Sequence, residues 1–275
     1  MSKLNLINPQ WQGGAEIAAL AGTREIEELY IKDTPCVRVP LSDGEDEFAI
    51  EHGIAGYRVI EEQTGAALAI LRESGADRVF TVGGSCDADV ASILHLSEVY
   101  NGDLAVLWLD AHGDINSPAE SASHLFFGMP VRMLLGDCGA AFADLRYKPL
   151  APEHFINAGG RAFDEAENSF MQLHQIPVIP ALSADLQDAV MEAIALTGKG
   201  HLYVHLDLDV LDPAEFPFPF TPVPIEAGLP LKELQPLLTV LRQKTDLVGF
   251  GIFEYIPSGA KCEILEQLVR FGLDL

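Results

Sequence analysis

The 275-residue chain carries 41 acidic against 17 basic residues, a formal net charge of −24, which repels nucleic acid and anionic lipid and favours divalent metals or small basic substrates. With 48% hydrophobic residues it can bury a sizeable core, and no linker-like stretch divides it, so one domain over 1–275 is expected. The N-terminus MSKLNLINPQWQGG lacks a signal peptide's apolar run, no stretch reaches membrane-span length, and Cys36, Cys86, Cys138 and Cys262 show no paired spacing, all of which predicts a cytoplasmic protein.

Residues 4–8 read as a first strand, and the Pro and Gly of PQWQGG mark a loop in which Trp11 serves as a packing anchor. CVRVPL (36–41) is a second strand, followed by SDGEDE as a solvated acidic turn. Apolar residues at helical intervals over 54–74, stopped by Gly75, predict a helix. RVFTV (78–82) is then a strand running into GGSCDADVASILHL, where two glycines permit close backbone approach and Ser85 or Asp87 is placed to cap the next helix. Taken alone, Cys86 in that turn reads as a small buried thiol.

The strand over 105–110 ends in Asp110, with His112 and Asp114 alternating after it. In an extended strand these three side chains would share one face at roughly 6.6 Å intervals, too far apart for one ion. The chain therefore turns after Asp110 or serves two ions. Oxygen and imidazole donors suit Mn, Zn or Fe, and ion pairs about 3.5–4 Å apart are a known hydrolytic arrangement. SASHLFFGMPVRMLLG follows as a helix with Phe126, Met129, Met133 and Leu134 on one buried face and Pro130 in its first turn. His124, just ahead of it, sits in a loop or lines the site.

Strands are predicted at 155–160 and 176–179. YVHLDLDVLDP (203–213) is a second strong motif, a strand that stays apolar until it delivers Asp207 and Asp209 on one face, after which Asp212-Pro213 turns the chain away. Buried carboxylates without partners cost several kcal/mol, so cations belong beside them. With only 17 basic residues in the chain, metals are the simpler choice over Arg or Lys. A Pro-rich loop enters a helix at Leu231, and the last strand, VGFGIFEYIP, presents Glu254 at its carboxyl end.

In order, GGSC, LDAHGDINSP, HLDLDVLDP and FEYIP resemble the motifs of the arginase, agmatinase and formiminoglutamase superfamily, the ureohydrolases, over nearly the whole chain. The resemblance implies a three-layer α/β/α fold with a mostly parallel, eight-stranded sheet and two Mn2+ ions at its carboxyl edge. It also implies a trimeric or hexameric homo-oligomer. Carried over by residue, Asp110 and Asp207 bridge both ions, Cys86 and Asp114 complete one set, and His112 and Asp209 complete the other. A hydroxide shared by the ions attacks the carbon of a small cationic guanidino, amidino or formimino substrate. Asp114 passes a proton to the leaving amine, and Glu254 pairs with the substrate's positive group.

Three positions depart from the family. Cys86 stands where the family has a His ligand, and a thiolate suits Zn2+ better than manganese. Phe127 stands at the proton-shuttling His, leaving His124 as the nearest titratable side chain in sequence. Phe220 replaces a glycine before Thr221-Pro222. Two functions are compatible with this pattern: a manganese hydrolase of a non-peptide C–N bond, or a ureohydrolase-like binding or regulatory protein with one metal or none.

Overall fold

The computed structural model describes residues 2–42, 48–221 and 225–275; most of the acidic turn predicted after Leu41, and Pro222, lie outside the described residues. The chain begins β1 Lys3–Asn8, α1 Ile17–Ile26, β2 Val37–Arg38, β3 Ile50–Glu51, β4 Ile54–Ala55, α2 Tyr57–Ser74, β5 Arg78–Gly83 and α3 Val90–Val99. It continues β6 Leu104–Leu109, α4 Pro130–Leu134, β7 Phe155–Ala158, α5 Glu165–Leu173, β8 Val178–Ile179 and α6 Leu186–Leu196. The last elements are β9 His201–Asp207, α7 Leu231–Lys244, β10 Asp246–Phe253 and α8 Glu263–Leu273. Eight strands form one sheet in the order β2-β1-β5-β10-β9-β6-β7-β8, all parallel, while β3 and β4 make a small antiparallel hairpin.

Strand alternation sends each sheet strand into two cores. On β6, Leu104, Val106 and Trp108 join one cluster while Ala105, Leu107 and Leu109 join the other. The first cluster is covered by α2, α3, α4 and α5, and the second by α1, α6, α7 and α8. A parallel sheet covered on both faces needs such continuous apolar runs. The expected three-layer α/β/α architecture with an eight-stranded sheet is thus present. No helix among the described residues is long and apolar enough to cross a membrane.

Local differences from the sequence reading have physical causes. The helix predicted from residue 54 starts at Tyr57 because 54–55 pair in the hairpin, and it ends as expected at Gly75, in a left-handed conformation (φ 59°) with its N–H on the Leu71 carbonyl at 3.2 Å. The edge strand β2 keeps two residues of the six predicted, pairing only with β1. The helix predicted around Met129 is broken into a 3-10 turn, Phe126–Gly128, and the five-residue α4, because Pro130 supplies no N–H and starts a new helix at its first position. Phe126, Met129, Met133 and Leu134 are nevertheless all fully buried.

Candidate metal centre

The four central strands β5, β10, β9 and β6 are neighbours, and at their carboxyl ends the chain delivers Cys86, Glu254, Asp207 and Asp110 respectively. Strand ends of a parallel sheet are where α/β folds place ligands. The chain does turn after Asp110. The His112 N–H donates to Asp110 Oδ1 (2.6 Å) and the Ala111 N–H to Asp209 Oδ1 (3.1 Å), folding the chain back. His112 Nδ1 thereby comes to 3.0 Å from Asp209 Oδ2 and 3.4 Å from Asp110 Oδ1. Asp209 lies in a short turn, Leu208–Val210, and its N–H donates to Asp207 Oδ1 at 2.7 Å. Cys86 donates its N–H to Glu254 Oε1 (2.9 Å) and its thiol to Asp207 Oδ2 (3.1 Å). Asp114 (φ 50°) and Glu254 (φ 61°) adopt left-handed backbone without being glycine. Such conformations cost about 1–3 kcal/mol and cluster at functional positions.

Three groups of donors result, in each of which all candidate ligand atoms lie within 4.8 Å of one another. One is Cys86, Asp110, Asp114 and His205; the second Cys86, Asp207 and Glu254; the third Asp110, His112 and Asp209. Donors about 2.0–2.3 Å from a shared ion stand up to roughly 4.6 Å apart across it, so each group has the dimensions of a coordination sphere. The structure therefore brings together all six residues expected as metal ligands, with Glu254 beside them.

The protein offsets only part of the charge in this cluster. Among the described residues no Lys or Arg is ion-paired with Asp110, Asp114, Asp207, Asp209 or Glu254; the recorded partner is His112. Burial, reinforced by the neighbouring carboxylates, pushes the carboxyls of Asp114, Asp207, Asp209 and Glu254 up, and raises the Cys86 thiol likewise. Asp110 differs: burial raises it too, but the hydrogen bonds and charge of His112 outweigh that and hold it below the usual carboxylate value. Burial opposes a charge on His112, yet Asp110 and Asp209 lift it to about 11. Asp114 Oδ2, Glu254 Oε2, His112 Nε2 and His205 Nε2 are buried without a hydrogen-bond partner. Hard carboxylate oxygens, imidazole and one sulfur, crowded together with no Lys or Arg ion pair among the described residues, fit divalent cations.

His205 is the residue that the sequence reading missed. It precedes Asp207 by two in the apolar run YVHLD, so strand alternation puts both on one face, and that period was the available signal. Neither Ser85 nor Asp87 caps a helix by its side chain. Asp87 instead accepts from the Gln10 side chain and from Ser85 Oγ, pinning the loop after β1. A Cβ on Gly13 would lie 1.8 Å from the Asp87 carboxylate, so that loop requires glycine there. Trp11 packs edge-on to Phe48, 5.9 Å between centroids, as an anchor.

His124 belongs to none of the three donor groups. Its Nδ1 lies 3.0 Å from the Gly53 carbonyl and its own carbonyl accepts from Ala55 N–H, so it fastens the β3–β4 hairpin. Phe127 and Phe220 approach each other at 6.4 Å between ring centroids, and both lie near Gly14, as does Ser85. The Phe220 N–H donates to the Glu254 carbonyl (2.6 Å), which puts this aromatic pair beside the cluster.

A family model described as the arginase family matches residues 13–265. The arginase of Staphylococcus aureus (strain MRSA252) is 27% identical over 238 residues, covering 84% of this chain and 78% of its own. The N(omega)-hydroxy-L-arginine amidinohydrolase of Streptomyces lavendulae is 25% identical over 252 residues, covering 92% and 86%. In fold, the chain is similar to Entamoeba histolytica arginase, solved with L-ornithine, at a TM-score of 0.85 and 20% identity, over 99% of this chain and 97% of the other.

Proposed function

The chain belongs to the arginase family, and we propose that its strand-end cluster is a divalent-metal centre that hydrolyses a non-peptide C–N bond in a guanidino, amidino or formimino compound. Two ions, Mn2+ or in part Zn2+, would be held by Asp110 and Asp207 between them, by Cys86 and Asp114 on one side and by His112 and Asp209 on the other. When bound, the ions supply a water acidic enough to act as a nucleophile near neutral pH. The remaining work falls to the chain. Glu254 has Oε1 tied to the Cys86 N–H and Oε2 unpartnered, an arrangement suited to a cationic substrate group. Asp114, with Oδ2 unpartnered, is available to carry a proton to the leaving amine. Relatives named for arginine and N(omega)-hydroxy-L-arginine support the guanidino class.

The observation that carries this reading is the sharing of Asp110 between the donor group of His112 and Asp209 and the group of Cys86 and Asp114. Shared donors are what a pair of ions a few ångströms apart requires. The test is to load the purified chain with Mn2+, measure metal per chain, and screen guanidino, amidino and formimino compounds for release of urea, ammonia or formamide. Metal binding with product release supports the hydrolase.

A second reading has its own support. Phe127 and Phe220 put two aromatic rings beside Glu254, with no imidazole at that position. This favours a metal-binding chain of low turnover, which the same screen would reveal as metal without product. We propose in either case that 1–275 forms one domain that assembles as a trimer or hexamer in the cytoplasm, in keeping with four unpaired cysteines.

A further inference from the structure

The imidazole of His205 is fully buried in the middle of the sheet. Its Nδ1 lies 2.9 Å from Asp89 Oδ2, and the hydroxyl of Tyr203 donates to the other oxygen of that carboxylate. The ring is clamped from both neighbouring strands. Trp108, its register partner on β6, stacks at 3.5 Å and within 5° of parallel, and Phe253 of β10 stacks at 4.7 Å and within 8°. Gly83 and Gly251 leave the space that the Phe253 ring fills, since a Cβ at either would approach it to 2.3 or 2.4 Å.

These contacts fix both the plane of the imidazole and its tautomer. Nδ1 keeps its proton and donates it in a hydrogen bond to Asp89, leaving the lone pair on Nε2. That Nε2 is buried with no hydrogen-bond partner, yet His205 shares a 4.8 Å group with Cys86, Asp110 and Asp114. A buried imidazole oriented by a carboxylate and facing other donors is built like a metal ligand.

We propose that His205 Nε2 is a ligand of the ion held by Cys86, Asp110 and Asp114, and that Asp89 is the residue positioning it. This rests on the metal-centre reading above. The strand β9 then supplies to that ion an imidazole that the loop after β5, with Cys86, does not. A set of one sulfur, one nitrogen and carboxylate oxygens is softer than the oxygen and imidazole set around His112. It favours zinc, cobalt or ferrous iron over manganese at this one position.

Cobalt(II) titration of the full chain tests the donor set without reference to turnover. The native chain is expected to bind two ions, with a thiolate-to-cobalt charge-transfer band that Cys86→Ser removes. His205→Phe keeps a flat ring in the clamp and is expected to weaken one of the two ions about tenfold or more while altering its visible spectrum. Unchanged affinity and spectrum in His205→Phe overturn the proposal and leave the metal centre standing. No ion bound by the native chain overturns both. X-ray absorption of the native, zinc-loaded chain decides the matter even if His205→Phe does not fold. Two imidazoles shared by two ions support the proposal, and a single one, from His112, overturns it.

Discussion

The sulfur of Cys86 lies 3.1 Å from Oδ2 of Asp207, although they come from different strand ends of the sheet. Two donors this close can share one ion lying to the side of the line between them. A soft sulfur here penalises manganese. Cys86→His is therefore expected to raise Mn2+ affinity at one site by roughly tenfold, the scale of changes around a metal's ligands. Calorimetric titration checks it, and an Mn2+ isotherm indifferent to the change would reduce Cys86 to a buried thiol.

Asp89 holds His205 Nδ1 at 2.9 Å and touches no other member of the donor groups. Asp89→Asn is expected to lower the affinity of the ion facing His205 by about 10–100-fold and to leave the other ion's affinity unchanged. A structural lesion alone would weaken both ions together, so the difference between the two binding constants is the readout.

The metal-free chain is expected to be less stable at pH 8 than at pH 5. Burial raises Asp87 to about 6 and Glu167 to about 7, and burial with neighbouring charge raises Asp114, Asp207, Asp209 and Glu254. Unfolded carboxyls titrate near about 4, so above that value the folded state binds more protons, and stability falls as pH rises through the raised values. Asp110, held low, loses its contribution only in acid, whereas His112, raised to about 11, contributes fully below its unfolded value near about 6.5 and loses that contribution progressively as pH rises towards about 11, which adds to the fall. Thermal melts from pH 5 to pH 8 should show Tm falling, and divalent metal should flatten the fall. A metal-free Tm that rises over this window would contradict the charge assignment.

How much of this was legible beforehand varied with the physics. The eight strands were readable because β6 and β9 are buried on both faces and so are continuously apolar, and the acidic endings stood out against them. Ligand reach alone left two options after Asp110, a turn or service to two ions, and the structure shows the turn. The break at Pro130 was not readable, because Phe126, Met129 and Met133 keep a helical spacing whether or not the helix is continuous. His205 was hidden for a different reason. Its strand face was readable, but its orientation depends on Asp89, 116 residues earlier, and on Trp108 and Phe253 of neighbouring strands. His124 lay close in sequence to Phe127, but its ring is committed to Gly53.

If the proposed hydrolase holds, the aromatic pair at Phe127 and Phe220 is expected to limit its rate. General acid–base help contributes a factor of about 10²–10⁴, so a chain with Phe127 in that place is expected to be slow on guanidino compounds rather than inert. Phe127→His should raise kcat at matched metal content, and Glu254→Gln should raise KM for cationic substrates. Steady-state rates of the variants on arginine and agmatine check this. No gain from Phe127→His with both ions bound favours the non-catalytic reading.

Asp110 is a member of two donor groups, with His112 and Asp209 on one side and Cys86, Asp114 and His205 on the other. Elemental analysis of the native chain and of Asp110→Ala, each loaded with metal and freed of excess, tests the centre most directly. The account predicts two ions per native chain and loss of both together in the variant. Unchanged metal content after removal of Asp110, or no metal in the native chain, would contradict it.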